Sequence, residues 1–281
     1  MEYLKSMLGN DFNQFLGKHF SRLPYSCTGA AKNFTHLLNW KVIDGIFKAK
    51  KSVLRIVQDG KMIQDYVEID FDQAKIHHGR GETLLIRYAE KSDSDLKKLA
   101  DDFSHSFHTP VDIQLYCTPE GHNAFGWHYD VEEVFIIQAS GSKHYTLRPN
   151  TIHPLPLVQS IQKNQGYHDE KSELKIEVTL KEGDFLYIPS GWWHMARTRQ
   201  ESMHISIGLM PSSALDILTF LPEHLAPMPF WRTRMPIHQV FASAEEENLF
   251  YSDAMLKIAE ELKNAVSKPE FIEAFLSFKK K

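Results

Sequence analysis

The most regular stretch of this chain is one in which apolar and polar residues take turns. Val111-Asp-Ile-Gln-Leu-Tyr116 alternates, and because successive strand side chains point to opposite faces, this predicts a half-buried strand. Thr118-Pro-Glu-Gly121 closes it with turn residues. Val134-Phe-Ile-Ile-Gln138 predicts a second strand. Gly141-Ser142 then predicts a tight type II′ hairpin turn into a paired strand, Lys143-His-Tyr-Thr-Leu147. Further on, Leu174, Ile176, Val178 and Leu180 share one face, and Gly183-Asp184 turns the chain into Phe185-Leu-Tyr-Ile188. In Met203-His-Ile-Ser-Ile-Gly-Leu209, His204, Ser206 and Gly208 lie opposite Met203, Ile205, Ile207 and Leu209. Earlier, Val53–Val57 and Thr83–Arg87 read as strands, with Asp59-Gly60 as a turn after the first.

Both flanks change to a helical period. Up to about Lys51, Phe12, Phe15, Leu16, Leu37, Leu38, Val42, Ile43 and Ile46 predict short helices. Ser92 to Phe107 puts Leu96, Leu99, Ala100 and Phe103 on one face, with Ser92 or Asp93 as N-cap. After Pro211 the pattern is helical again, broken between Pro222 and Pro236 by a proline-rich connector. Two amphipathic helices then fill Glu245 to Lys281, separated near Ser267-Lys-Pro269. Residues 148–172, rich in Pro, Asn, Gln and His, read as a long loop, a candidate lid or substrate-contacting segment. Short strands flanked by helices predict a mainly β fold: a double-stranded β-helix (jelly-roll or cupin) core with N- and C-terminal helical extensions. The expected divisions are a helical region at 1–50, the jelly-roll domain at 51–213 and a second helical region at 214–281.

Composition narrows the setting. At 42% hydrophobic and 24% charged, the 281 residues are those of an ordinary globular protein. A net charge of −4 gives no bulk attraction to nucleic acid or to an anionic membrane. Cys27 and Cys117 stand in unrelated contexts, which argues against a disulfide framework and a cysteine-based zinc site. No apolar run approaches the roughly 18 residues of a membrane span. The opening Met-Glu-Tyr-Leu-Lys-Ser-Met is not a secretory signal, so a cytoplasmic location is expected.

The candidate chemistry begins at His128-Tyr-Asp130 and is completed by His194, at the end of Ile-Pro-Ser-Gly-Trp-Trp-His. Strand-like alternation turns His128 and Asp130 one way and Tyr129 the other. Two imidazoles and one carboxylate on a single side of an octahedral ion leave three positions open, the arrangement of the non-haem Fe(II) facial triad. Glu132 and Glu133, though close by, read as a solvated loop pair without a catalytic role, and Lys279-Lys-Lys281 as a solvated end. Trp127, Trp192 and Trp193 are candidates for an apolar shell around the site.

Two segments carry a family resemblance. Phe125-Gly-Trp-His-Tyr-Asp-Val-Glu-Glu-Val-Phe-Ile-Ile-Gln138 with Gly141-Ser-Lys143, and Gly183-Asp-Phe-Leu-Tyr-Ile-Pro-Ser-Gly-Trp-Trp-His194, resemble the core of JmjC-type cupin oxygenases. The resemblance spans roughly residues 85–210 and is nearest to ribosomal oxygenases and asparaginyl hydroxylases. It implies Fe(II), 2-oxoglutarate as co-substrate and O2, with His128, Asp130 and His194 as iron ligands. It also implies Lys143 for the distal carboxylate of 2-oxoglutarate, with Tyr116, His204 and Ser206 as further co-substrate contacts. Structural hydrogen bonding is the competing role for those last three. The segment after Leu209 is too short for both the dimerisation region and the winged-helix domain of ribosomal oxygenases, so their full architecture is not expected. The expected reaction is hydroxylation of a side chain in a protein or peptide. Alternatives are a metal cupin enzyme that uses no 2-oxoglutarate, an N-methyl-lysine demethylase, a small-molecule hydroxylase and a non-catalytic cupin interaction module. Apolar faces at Ala254, Leu256, Ile258, Ala259 and Leu262, then Phe271, Ile272, Ala274 and Phe275, suit a homodimer or packing onto the barrel.

Overall fold

Alternating side chains build two antiparallel sheets in the computed structural model, which describes residues 1–158, 175–234 and 240–278. Leu174, most of the 148–172 loop, Pro236 and Lys279–Lys281 lie outside the described residues. In chain order the strands are β1 (Tyr25–Cys27), β2 (Val53–Gln58), β3 (Lys61–Val67), β4 (Thr83–Arg87), β5 (Val111–Thr118) and β6 (Glu133–Ser140). They continue with β7 (Ser142–Arg148), β8 (Ile176–Lys181), β9 (Phe185–Ile188), β10 (Trp193–Thr198) and β11 (Ser202–Leu209). The larger sheet runs β1-β9-β6-β11-β5-β4-β2-β3 and the smaller β10-β7-β8.

Alternation decides what each face of the larger sheet meets. Ile113, Leu115 and Cys117 on β5, Phe135 and Ile137 on β6, and Ile205 and Ile207 on β11 pack with the helices in one core. Those helices are α1 (Glu2–Leu8), α2 (Phe12–Lys18), α3 (Trp40–Ala49), α4 (Phe71–Gly79) and α5 (Ser94–Phe107). The opposite face of β6 offers Val134 and Ile136 to Tyr145, Leu147 and Leu180 of the smaller sheet. A slip of one residue in β6 would exchange these two sets, so both cores fix its register. In α5 the Asp93 carboxylate accepts from the amides of Asp95 and Leu96 at 2.9 and 3.0 Å, and Leu96, Leu99, Ala100 and Phe103 are buried. Such a cap contributes about 1 kcal/mol.

Several elements differ from the sequence-based expectation. Gly141-Ser142 is not a hairpin turn: β6 pairs with β9 and β11, whereas β7 pairs with β8 and β10. The chain passes here from one sheet to the other. Gly141 has φ +67°, and a Cβ at that position would overlap the Glu201 carbonyl oxygen, so the glycine is needed for a corner instead. Asp59-Gly60 does form the expected turn, but the strand it leads into, β3, is an exposed edge with no alternation to reveal it. Strand β1 and helix α4 were likewise not foreseen. In α4 one of the two buried residues is His78, edge-on to Trp40 at 4.9 Å, so a polar residue sits where the pattern would need an apolar one.

The chain divides into two compact units, Met1–Pro211 and Ser212–Lys281. The second contains α6 (Ala214–Leu225), α7 (Ala244–Val266) and α8 (Pro269–Phe278). Pro222 does not end α6, which runs on to Leu225 because Phe220, Leu221 and Leu225 pack with Ala265 and Phe271. Phe271, Ala274 and Phe275 thus find partners inside this unit, while Leu249, Met255 and Leu256 on α7 remain exposed. No helix among the described residues is long and apolar enough to cross a membrane.

Gly141→Ala is expected to lower stability by roughly 1–3 kcal/mol, through a left-handed backbone and the clash with Glu201. Equilibrium urea denaturation measures this, and an unchanged midpoint would contradict the corner.

Candidate metal centre

A single antiparallel bridge brings the three candidate ligands together. The His128 amide donates to the His194 carbonyl at 3.1 Å, and the His194 amide returns the bond at 2.8 Å. His194 belongs to β10, but His128-Tyr-Asp130 lies in no strand, contrary to its strand-like appearance. One bridge is enough to impose alternation locally. Tyr129 turns away and packs edge-on against Trp193 at 4.8 Å, while the rings of His128 and His194 lie 4.1 Å apart. Beyond Tyr129, the Gly191 amide donates to the Asp130 carbonyl at 2.8 Å. Gly191 has φ +81°, and a side chain there would run into the Pro154 carbonyl, which explains the glycine in Pro189-Ser-Gly191.

The ligand atoms of His128, Asp130 and His194 lie within 4.8 Å of one another, and no other such group occurs among the described residues. His194 Nε2 is 3.4 Å from Asp130 Oδ2. Both imidazoles are held in one tautomer. His128 Nδ1 donates to the Gly126 carbonyl at 2.8 Å and His194 Nδ1 to the Trp192 carbonyl at 3.0 Å. A carbonyl only accepts, so each Nδ1 carries a proton and each ring turns Nε2 towards the cluster, His128 as the lone pair of a neutral ring and His194 towards the Asp130 carboxylate. Burial, with the neighbouring His194, lowers the His128 pKa to about 4. Burial alone would raise that of Asp130, but the His194 hydrogen bond and the two imidazoles outweigh it and hold the carboxyl at about 2. Burial would lower that of His194, yet the bond and charge of Asp130 raise it. The neutral His128 ring and the ionised Asp130 carboxylate, joined by His194 once its Nε2 proton gives way to a cation, make a donor set suited to a divalent transition metal.

The cavity beside these groups is lined by Tyr116, Lys143, Tyr145, His204 and Ser206. Lys143 is 2% exposed. Its Nζ donates to Thr118 Oγ1 at 3.2 Å and lies 5.6 Å from the Tyr116 ring centroid, and no carboxylate pairs with it among the described residues. Burial pushes its pKa down to about 7. Tyr145 Oη and His204 Nδ1 are buried without a hydrogen-bond partner among the described residues. Burial, reinforced by Lys143, keeps His204 neutral, and its ring stacks on Tyr116 at 4.6 Å and 9°. Tyr116 spends its hydroxyl on Gln114 at 3.2 Å, so it meets the cavity as a ring wall. Sequence reasoning missed Tyr145, although it lies two residues after Lys143 on β7 and hence on the same face.

Glu132 and Glu133 are not a solvated pair. Glu133 is 3% exposed and accepts from Ser21 Oγ at 2.8 Å, from the Tyr187 hydroxyl and from the Ser190 amide at 3.3 Å. It ties the N-terminal segment to the turn that leads to His194. Glu132 is half-buried against Gly208, where a Cβ would sit 3.3 Å from its carboxyl. Burial and the Asp130 charge raise its pKa to about 7.

Residues 88–217 match the protein family described as the JmjC domain. The bifunctional lysine-specific demethylase and histidyl-hydroxylase NO66 of Drosophila persimilis is 27% identical over 204 residues, covering 69% of this chain and 29% of the relative. Ribosomal oxygenase 2 of Bos taurus is 32% identical over 168 residues, covering 59% of this chain and 34% of the relative. The chain thus spans about a third of the length of these curated relatives. Among solved structures, the Escherichia coli ribosomal oxygenase YcfD in complex with cobalt and 2-oxoglutarate superimposes with a TM-score of 0.67 at 18% identity, covering 95% of this chain and 70% of that one. That last likeness is one of fold.

Glu133→Ala leaves the Tyr187 and Ser21 hydroxyls without their acceptor. A loss of about 1–3 kcal/mol is expected from the buried Tyr187 hydroxyl, whereas exposed Ser21 can turn to water. Denaturant unfolding would register it, and wild-type stability would rule out a structural role for this carboxylate.

Proposed function

We propose that this chain, which carries a JmjC domain over residues 88–217, is an Fe(II)- and 2-oxoglutarate-dependent oxygenase that hydroxylates a side chain of a protein or peptide. Lys143 carries the reading. A cation so completely removed from water is costly unless an anion meets it, and this one shares a cavity with the two histidines and Asp130. A dicarboxylate satisfies both ends, its far carboxylate reaching Lys143 while the rest approaches the metal-binding groups. A cupin enzyme without 2-oxoglutarate has no use for this lysine. The two sheets, with β7 and β10 opposed to the larger one, are read as the two walls of a double-stranded β-helix.

In this reading His128 Nε2, His194 Nε2 and an Asp130 carboxylate oxygen hold the iron. When bound, Fe(II) with 2-oxoglutarate and O2 supplies the oxidising power, coupling decarboxylation of the keto acid to succinate and CO2 with oxygen insertion into a C–H bond. The chain's own groups do the positioning. Lys143 donates to the distal carboxylate, and Tyr145 Oη and His204 Nδ1, both without hydrogen-bond partners among the described residues, supply additional hydrogen bonds. Ser206, on the same face of β11 as His204, would be a further contact, and the ring of Tyr116, stacked on His204, would form one wall of the co-substrate's cavity. Asp130, 36% exposed, marks the side from which a substrate side chain enters. A protein substrate is supported by relatives described as histidyl-hydroxylase and lysine-specific demethylase.

Asp130→Ala is expected to weaken Co(II) binding at least about tenfold and to abolish 2-oxoglutarate-dependent succinate release. Calorimetry and a succinate assay read the two effects, and turnover that survives in this variant would refute the proposal. Mass spectrometry of treated proteins then separates hydroxylation, a gain of one oxygen atom, from loss of a methyl group.

Because Lys143 is pushed down to about 7 by burial, co-substrate binding is expected to take up a proton at higher pH. Below that value the lysine is already charged and affinity is flat. Above it the ammonium must be regenerated, so affinity falls by up to about tenfold per pH unit. Calorimetry in buffers of different ionisation enthalpy measures the uptake, which should vanish in Lys143→Met. A pH-independent affinity with no proton uptake contradicts the assignment.

A further inference from the structure

We propose that Arg148 is a positioning residue for the metal centre, clamping the two ligand-bearing segments together through one guanidinium stacked on two indoles. The inference rests on the reading of His128 and His194 as metal ligands. Arg148 ends β7 and stands directly opposite Trp193 in the pairing of β7 with β10. Its guanidinium carbon lies 4.6 Å from the Trp127 ring centroid and 5.6 Å from that of Trp193. Each of these tryptophans immediately precedes a ligand histidine, Trp127 before His128 and Trp193 before His194.

The two segments are not equally secured. Trp193 and His194 sit in a strand hydrogen-bonded along its length to β7. The segment from Phe125 to Asp130 belongs to no strand and is tied to residues 191–194 by the reciprocal His128–His194 bonds and the Gly191–Asp130 bond. The Gly126 carbonyl that sets the His128 tautomer lies in the same weakly secured stretch. A planar cation suits this place: guanidinium stacks on aromatic faces more readily than ammonium, and each such contact strengthens as water is excluded. Arg148 thereby gives the loop that bears His128 a further anchor at Trp127, independent of the backbone bridge and of the packing of Tyr129 on Trp193. Removing it leaves the ligands present and the strands paired, but lets the His128 imidazole wander from its place opposite His194.

The test is Co(II) titration of the metal-stripped full chain, followed by calorimetry and by the visible ligand-field spectrum. Arg148→Met is expected to raise the Co(II) dissociation constant about tenfold or more and to alter band intensities, while metal-free unfolding stays cooperative. Arg148→Lys, which keeps the charge without the planar fork, should fall between that variant and the parent. Trp127→Leu tests the same contact from the other side and should reproduce the loss of affinity, so the proposal stays testable if Arg148→Met does not fold. Parental affinity in Arg148→Met, or in Trp127→Leu where that must stand in, would overturn the proposal, as would equal losses in the Lys and Met variants. His128→Ala serves as the control: Co(II) affinity unchanged there would strike at the ligand assignment itself, a failure distinguishable from failure of the clamp.

Discussion

Two reciprocal backbone hydrogen bonds, between His128 and His194, hold the site in place. They are the only pairing of His128 with a strand, yet they set which way three consecutive side chains point. With His128 directed inward, Tyr129 has to turn out and fill the space beside Trp193, and Asp130 has to return to the cavity. The bridge also brings together two rings whose Nδ1 atoms are bound to carbonyls, so that both Nε2 atoms face Asp130 and the cavity. Position and direction of the three candidate ligands therefore follow from the same short contact.

The larger sheet supports this contact from both sides. Its helix-covered face supplies most of the apolar core, and its opposite face is where β5, β6 and β11 present Tyr116, Val134, His204 and Ser206 to the cavity. Glu133 marks the division between the two. It lies on β6 three residues beyond Asp130, but its bonds run to Ser21, Tyr187 and Ser190, outside the cavity. Neighbouring carboxylates are thus sent to different surroundings: Asp130 to the cavity beside the two histidines, Glu133 to the anchoring of the N-terminal segment.

Much of this was legible in the sequence wherever burial and alternation coincide. β5 and β11 alternate because one face of each meets a large apolar core, and β6 shows as a continuous apolar run because both of its faces are covered. The triad was legible because His-x-Asp and a distant histidine are each set in characteristic surroundings. Elements that bury little escaped: β3 is an exposed edge, and β1 has only three residues. Gly141-Ser142 misled because a glycine with positive φ serves a hairpin and a corner between sheets equally well, and only the partners of β6 and β7 distinguish them. Tyr145 was within reach, since a residue two places from an inward lysine also points inward. The contact of Arg148 with Trp127 was not, because it joins side chains from elements that do not pair.

The solitary ammonium at the base of the cavity links the durability of the fold to its surroundings. Among the described residues, buried Lys143 has the Thr118 hydroxyl and the Tyr116 ring beside it but no carboxylate, so enclosing it costs the native state stability. Any small dianion that settles there and is ignored by the unfolded chain deepens the native state, by about 2.7 kcal/mol at a hundred times its dissociation constant. The folded population would then rise and fall with the supply of such an anion, so that occupancy of the cavity governs how long the folded molecule persists.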